Sequence, residues 1–210
     1  MNIEFRKKNH KDYKQIKRLI NEAWFKDYPF KKSTIKQYEQ AYMYMYLADT
    51  NHSVVATFNN EVVGFLFARI NKVNPFKVAY YKTRLFLLGI RMLFTKAGRR
   101  GIKIYLKTKS VNKKLIKEYK NKFDGEITLF VVREDLRGNR IGSSLEELLL
   151  ETMKQKNTKN IHVFTDTYSS YGYYEKKGYS RLNEMFVDFK VDADDPGSTY
   201  YLYVKKLNNI

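Results

Sequence analysis

Apolar residues in the first part of the chain recur at the spacing of amphipathic helices. Between residues 16 and 24 they return at intervals of three and four residues, which predicts a helix with one buried face. Asn9 is a suitable N-cap for this helix, and Ser33 is a suitable N-cap for a second helix that ends near Leu47. A short strand over residues 2–6 precedes both helices.

The remaining apolar runs predict a fold that mixes strands and helices. Residues 52–58 and 61–70 are strand-like and are joined by Asn59-Asn60, which predicts a hairpin. Residues 126–132 are almost continuously apolar, which predicts a strand buried on both faces. Ser143 and Glu146 have the spacing of a capping box. The other predicted strands cover 160–166, 185–191 and 200–206 with a turn at 194–197, and the other predicted helices cover 76–96, 111–122 and 168–177 with a break from Gly98 to Gly101.

Length and composition favour one globular domain over residues 1–210. The chain has 210 residues, of which 43% are hydrophobic and 30% charged. It has no cysteine, which excludes disulfides, thiolate metal sites and a cysteine nucleophile. Its three histidines are dispersed, so we expect no metal site. No apolar run approaches the roughly 18 residues of a membrane span, and we therefore expect a cytoplasmic protein without a transmembrane segment.

Positive charge is concentrated in one segment. The chain carries a net charge of +18, and residues 72–124 hold 16 Lys or Arg and only two acids, a net +14. The same segment is rich in large apolar residues. This pattern indicates a basic helical insertion, residues 72–124, within the domain.

Residues 126–142 carry the most informative local pattern. A strand runs into a glycine-containing turn that opens a helix, which presents free backbone N–H groups at the positive end of the helix dipole. Arg137 and Arg140 add charge there, while Gly138 and Gly142 permit close backbone approach. The pattern suits a bound phosphate, although an ordinary strand-to-helix connection has the same form.

Two motifs resemble those of the GCN5-related N-acetyltransferases. The family's acetyl-CoA motif is Gln/Arg-x-x-Gly-x-Gly/Ala after the fourth strand, and residues 137–142 fit it except that Arg140 stands at the first motif glycine. About 35 residues downstream, residues 173–179 (Tyr-Tyr-Glu-Lys-Lys-Gly-Tyr) resemble the family's Phe-Tyr-Glu-Lys-x-Gly-Phe segment. The resemblance covers 2–70 and 125–207 and leaves the basic insertion outside.

The resemblance implies both a fold and a cofactor. The fold is α/β (α+β), with a mixed, mostly antiparallel central sheet that is splayed between strands 4 and 5 and flanked by helices. Acetyl-CoA would lie in the splay as cosubstrate, with no metal, and the Phe130 N–H would polarise the acetyl carbonyl. The implied cofactor-binding residues are Phe130, Val131 and Val132 for the pantetheine arm and Arg137, Gly138, Asn139, Arg140, Ile141, Gly142 and Ser143 for the pyrophosphate.

The resemblance also implies an acetyl transfer in which an amine attacks the thioester directly in a ternary complex. Tyr174 matches the position whose hydroxyl protonates the departing thiolate, although most of the 18 tyrosines pack in the core. Glu126 has the spacing from Arg137 at which histone acetyltransferases of the family place their base, and a carboxylate in an apolar strand has a raised pKa. A solvent-facing Glu at a strand end is an equal alternative.

The acceptor is an amine of a small molecule or a peptide that the sequence does not identify. The loop that contains Trp24, Phe25 and Tyr28 corresponds to the variable acceptor-binding region of the family. These aromatic residues either line an acceptor pocket or anchor the loop on the core, and we favour the anchoring interpretation. The basic insertion suits an acceptor-side lid, a homodimer contact or a docking surface. The alternative function is a non-catalytic module that binds nucleic acid or an anionic surface through residues 72–124, and we rank it well behind.

Overall fold

The computed structural model describes residues 1–26, 30–119, 121–188 and 197–207, which form a seven-stranded sheet flanked by helices. The strand order is β1-β2-β3-β4-β5-β7-β6, and every described neighbouring pair is antiparallel except β4 and β5. The strands are β1 (Glu4–Lys7), β2 (His52–Phe58), β3 (Glu61–Ile70), β4 (Gly125–Val132), β5 (Asn160–Asp166), β6 (Ser180–Val187) and β7 (Ser198–Lys206).

The sheet opens between its two parallel strands. β4 and β5 pair only at Gly125 with Ile161, Glu126 with His162 and Ile127 with Val163. β4 then continues to Val132 alongside β3, without β5. This geometry confirms the mostly antiparallel sheet with a splay between strands 4 and 5.

Helices cover both faces of the sheet. One core lies between the sheet and α5, and the other lies between the sheet and α1, α2 and α3. A smaller apolar cluster joins α4 to β6 and β7. The helices are α1 (Tyr13–Trp24), α2 (Lys32–Asp49), α3 (Pro75–Leu93), α4 (Lys96–Leu115), α5 (Ile141–Gln155) and α6 (Tyr171–Lys176).

Several sequence predictions coincide with the structure. The strands at 52–58, 61–70 and 160–166 have the predicted bounds, and Asn59 and Asn60 both have positive φ, as a two-residue hairpin turn requires. Asn9 caps a 3-10 turn at His10–Asp12 that leads into α1. The strand predicted at 185–191 begins earlier, at Ser180; residues 189–191 and most of the predicted turn lie outside the described residues.

Both other cap predictions are wrong. Ser33 lies inside α2, because the Lys31 carbonyl accepts the N–H groups of Thr34 and Ile35 and so starts the helix before Ser33. The predicted capping box of Ser143 and Glu146 does not form, since α5 begins at Ile141. Glu146 is instead buried and accepts a hydrogen bond from Tyr173.

The predicted glycine break in the basic insertion is also wrong. The break lies at Phe94 and Thr95, where the Thr95 hydroxyl accepts the Gly98 N–H and caps α4. Gly98 and Gly101 are inside α4, and the predicted helix at 111–122 is the end of α4 followed by a 3-10 turn at Lys117–Tyr119. A side chain at Gly98 would collide with the Met92 carbonyl, so this glycine serves close packing.

β4 contacts a core on each face of the sheet, as predicted, with Ile127 in the core beneath α5 and Leu129 and Val131 in the core beneath α1 and α2. Buried residues nevertheless alternate with half-buried ones along this strand, and the half-buried Thr128, Phe130 and Val132 are among the residues that line an open cleft. The pairing with β3 also skips Thr128, which marks a β-bulge at the start of the splay. Among the described residues, no helix has the length and apolar content to span a bilayer.

Candidate active site

A cleft of about 640 Å³ opens where β4 and β5 diverge. Its walls come from β4, the loop before α5, β5 and α6 on one side, and from α1, α2 and α4 on the other. The predicted site residues that line this cleft are Trp24, Phe130, Val131, Val132, Arg137, Gly138, Arg140, Ile141, Gly142, Ser143 and Tyr174.

The loop before α5 presents a row of free backbone donors. Within the described part of the chain, the N–H groups from Gly138 to Ser143 donate no hydrogen bond, whereas Ser144 donates to the Arg140 carbonyl. These six donors lie at the N-terminal, positive end of α5. The arrangement suits a phosphate or pyrophosphate group.

Arg140 takes a backbone conformation that favours glycine. Its φ is 61° and ψ is 3°, in the left-handed region, and Gly138 has φ of 84°. This conformation costs a non-glycine residue about 1 kcal/mol. The departure from the family motif at Arg140 therefore leaves the loop shape intact, and it adds a positive charge beside the free N–H groups.

Gly142 lets α5 approach the wall of the cleft. A Cβ at this residue would lie 3.3 Å from Phe130 Cζ and 3.6 Å from Val132 Cγ2. A larger side chain would enter the space between α5 and β4. The Arg137 side chain lies nearby and donates from Nε to the Val132 carbonyl at 3.4 Å.

The backbone of β4 offers further donors to the cleft. The Arg133 N–H donates to the Val63 carbonyl across the β3–β4 pair at 2.8 Å. In an antiparallel pair, N–H groups that face the partner alternate with N–H groups that face away. The N–H groups of Val132 and Phe130 therefore face away from β3, on the side from which β5 has separated.

Tyr174 lies on α6 at the wall of the cleft and is 8% exposed. Burial, and secondarily the charge of Glu146, raises the pKa of Tyr174 above its usual value, so its phenol is protonated at neutral pH. Its hydroxyl donates no hydrogen bond within the described residues, whereas Tyr173 donates to Glu146 Oε2 at 2.7 Å. Of the two adjacent tyrosines in the described wall, Tyr174 is therefore the one whose phenol is available to a ligand.

Glu126 lies near the cleft without lining it. Its Oε2 is 2.6 Å from Arg69 Nη2 and 3.7 Å from His162 Nε2. Burial raises the pKa of Glu126 to about 7, although the Arg69 charge opposes the shift. Burial, with help from Arg69, lowers the pKa of His162 to about 3, so this histidine is neutral.

Asp166 is a carboxylate in the cleft wall that the sequence analysis missed. Its Oδ1 accepts hydrogen bonds from the Tyr168 N–H and the Ser169 hydroxyl, each at 3.0 Å. Burial raises the pKa of Asp166 above its usual range. Its place at the end of a predicted buried strand, across the splay from β4, is the signal that could have identified it.

The three predicted acceptor-side aromatics differ in position. Trp24 lines the cleft beside Tyr42, at a ring distance of 5.6 Å. Phe25 is buried against Tyr38 and Tyr42, as the anchoring interpretation expects, and Tyr28 lies outside the described residues. Asn139 also lies off the cleft lining and donates from its side chain to the Leu136 carbonyl at 3.2 Å.

The basic insertion contributes a wall of the cleft. The cleft is lined by three residues of α4, namely Ile104, Thr108 and Asn112. The motif search did not identify these residues because the insertion lies outside the family resemblance. Among the described residues, no group of three or more His, Cys, Asp or Glu side chains could hold a metal ion.

Comparison with known proteins identifies the family. The model of the acetyltransferase (GNAT) family matches residues 13–179, and a search of curated proteins finds no significant match. Among solved structures, an N-acetyltransferase from Staphylococcus aureus Mu50 is similar, with a TM-score of 0.58 and 16% identity over 99% of this chain and 100% of that one. The ribosomal-protein-S18-alanine N-acetyltransferase from Escherichia coli has a TM-score of 0.58 and 8% identity over 99% and 95%. The chain therefore belongs to the GNAT family of acetyltransferases.

Proposed function

We propose that this protein is an acetyl-CoA-dependent N-acetyltransferase that moves the acetyl group directly to an amine. The observation that carries the proposal is the row of six free N–H groups from Gly138 to Ser143, at the mouth of the splay between β4 and β5. These donors suit the pyrophosphate of CoA. The adjoining cleft is large enough for the pantetheine arm and an acceptor.

The strand β4 would hold the reacting end of the cofactor. The free N–H of Val132 suits a carbonyl of the pantetheine arm, and the free N–H of Phe130 suits the thioester oxygen. A donor placed on that oxygen stabilises the charge that develops when the amine attacks. The buried side chain of Val131 fixes this stretch of β4 against the core.

The proposed transfer needs one acid and one base. As the nitrogen–carbon bond forms and the carbon–sulfur bond breaks, the Tyr174 hydroxyl would give its proton to the sulfur. A carboxylate would take the proton that the amine loses. Glu126 is a candidate base because its pKa of about 7 suits neutral pH, and a water would have to bridge it to the cleft. Asp166 is a second candidate because it lines the cleft itself.

The acceptor proposed is a small-molecule or peptide amine. Trp24, Tyr42 and Tyr46 line the acceptor side together with the α4 wall. Aromatic walls suit the apolar part of such an amine, and Asp166 suits its ammonium group. The similar enzyme from Escherichia coli acts on an alanine of ribosomal protein S18, which is a precedent for a peptide acceptor.

Calorimetric titration with acetyl-CoA tests the cofactor proposal. We expect saturable one-to-one binding that weakens at least about tenfold in Gly142→Leu, because the new side chain meets Phe130 and Val132. Gly89→Leu is the matched control, since the space around Gly89 is open and this residue is distant from the lining. Absence of binding by the folded wild-type protein would refute the proposal.

Tyr174→Phe then tests the catalytic acid. Once an amine screen has found an acceptor, this variant should lower kcat by about 10²-fold while acetyl-CoA affinity stays near that of the wild type. Tyr171→Phe is the control, because Tyr171 packs on Tyr201 and is not among the described lining residues. Equal kcat values for the two variants would remove Tyr174 from the mechanism.

A further inference from the structure

The helix α3 exposes an apolar face along its whole length. Phe76, Tyr80, Leu87, Ile90 and Phe94 follow one another at intervals of four, seven, three and four residues, so they share one side of the helix. Phe76 is 84% exposed and Phe94 is 82% exposed. We call these five residues, with the adjacent Phe86 and Leu93, the α3 face.

The opposite side of α3 supplies the contacts that hold the helix in place. Tyr81, Leu85, Leu88 and Met92 pack against the core that α1 and α2 share with the sheet. Their spacing of four, three and four residues places them on the side away from the α3 face. Folding of the chain therefore does not account for the apolar residues on the outer side.

Basic residues border the α3 face on both sides. By helical position, Arg84 and Arg91 lie along one border and Lys82 lies along the other. Lys82 and Arg91 form no ion pair with any described residue. The helices α3 and α4 together contain 12 Lys or Arg and no acidic residue. The helices α3 and α4 themselves therefore supply no charge that complements this surface.

We propose that the α3 face docks on an anionic lipid bilayer, with its aromatic and aliphatic side chains among the upper acyl chains and its basic borders on the headgroups. This combination of a large apolar stripe and flanking Lys and Arg is what binds a helix in the plane of a membrane interface. Anionic headgroups attract each nearby basic side chain, which supplies the charge complement.

Two other occupants fit this surface less well. A second copy of the chain would bring two basic borders together, and like charges at an interface oppose association. A nucleic acid would pair with the basic residues but would leave the aliphatic Leu87, Ile90 and Leu93 without apolar partners. A bilayer satisfies both components at once.

The docking proposal does not depend on the proposed acetyl transfer. None of the residues of the α3 face lines the described cleft. Acetyl-CoA affinity should therefore be the same in wild type and in α3-face variants, and failure of one proposal leaves the other open to its own test.

Vesicle co-sedimentation with the full chain tests the proposal. Binding should be strong to vesicles containing about one third phosphatidylserine and at least about tenfold weaker to pure phosphatidylcholine. Two double variants should each weaken binding to the anionic vesicles at least about tenfold. The first, Phe76→Ser with Phe94→Ser, removes apolar contacts, and the second, Lys82→Glu with Arg91→Glu, reverses the charge of both borders. Two control variants are matched to these: Phe186→Ser with Leu148→Ser changes two exposed apolar residues elsewhere, and Lys154→Glu with Lys156→Glu changes two exposed basic residues elsewhere. Each control should keep wild-type binding.

Site-specific labelling gives a second readout because the chain has no cysteine. An environment-sensitive fluorophore on Leu87→Cys should shift to shorter wavelength with anionic vesicles, and the same label on Leu148→Cys, on α5, should not. Equal binding to neutral and anionic vesicles, or loss of binding in either control variant, would overturn the proposal. The proposal would also be overturned if the protein did not bind the anionic vesicles but bound an RNA oligonucleotide or formed a dimer through Leu87.

Discussion

At the scale of single residues, burial raises the pKa of the two carboxylates nearest the cleft, Glu126 and Asp166. Glu126 has a pKa raised to about 7 because it is desolvated, even though Arg69 lies 2.6 Å away. Burial also raises the pKa of Asp166, although hydrogen bonds from the Ser169 hydroxyl and the Tyr168 N–H oppose the shift. The two differ in access, since Asp166 lines the described cleft and Glu126 does not.

The pH dependence of activity should identify the base. If Glu126 is the base, log kcat/KM of the wild type rises with pH and becomes constant above about pH 7. In Glu126→Gln, kcat/KM should no longer rise with pH over this range, and its value above pH 7 should be lower by about 10²-fold or more. Asp166→Asn is the matched variant, and its kcat/KM should then still rise with pH as in the wild type. The opposite pattern would assign the base to Asp166.

Stability provides an independent readout of the Glu126 pKa. A carboxyl whose pKa is raised by folding releases its proton more readily when unfolded, so the folded protein loses stability as pH rises from about 4.5 to about 7. Glu126→Gln lacks this loss. Its free energy of unfolding relative to wild type should therefore increase by about 3 kcal/mol over that range in urea denaturation.

At the scale of elements, contacts between helices explain two glycines that lie inside α4 of the α3–α4 hairpin. Thr95 caps α4, and Gly98 lies in its first turn against Met92. Gly101 faces the Tyr38 ring, where a Cβ would come within 2.5 Å of Cε1. Both glycines bring α4 close to its neighbours, whereas a Cβ added at Gly89 on α3 would meet no atom within 4 Å.

Alanine substitutions in this hairpin should have opposite effects on stability. Gly98→Ala should destabilise the protein by about 3 kcal/mol or more, because its Cβ collides with the rigid Met92 backbone. Gly89→Ala should stabilise it by about 0.5–1 kcal/mol, because alanine has the higher helix propensity. Thermal denaturation measures both, and equal effects would contradict the packing assigned to Gly98.

At the scale of the whole molecule, the basic insertion is built into the fold. Val111 and Leu115 at the end of α4 pack with Val187 and Leu202 of β6 and β7. The Asn183 side chain also donates to the Leu115 carbonyl at 3.1 Å. The insertion thus packs on the β6–β7 end of the sheet and also forms one wall of the cleft. Both contacts support its inclusion in a single domain.

Calorimetric unfolding should therefore show one transition for the entire chain. Leu115→Ala should lower the free energy of unfolding by about 2–4 kcal/mol and shift that transition without splitting it, because Leu115 is fully buried. Leu106→Ala, at a residue that is 58% exposed, should change stability by less than about 0.5 kcal/mol. Two separate transitions would make the insertion an independent unit.

The sequence by itself determined the strand pattern and the family. Two runs of apolar and β-branched residues joined by Asn59-Asn60 predicted the hairpin of β2 and β3 at its observed bounds, because strand propensity and turn preference are local properties of the chain. Residues 137–142 and 173–179 resemble two motifs of the family, and the family model confirms the membership. These signals are local and need no knowledge of what packs nearby.

Only the tertiary structure decided which groups reach the cleft. Glu126 and Asp166 are both carboxylates on strands, yet the divergence of β4 from β5 leaves one behind the cleft wall and the other in it. The same divergence leaves the Phe130 N–H without a partner on β5. The packing of α4 on β6 and β7 brings Thr108 to the cleft, although its segment carries no family motif. Such contacts join residues far apart in sequence, and periodicity and short motifs carry no information about them.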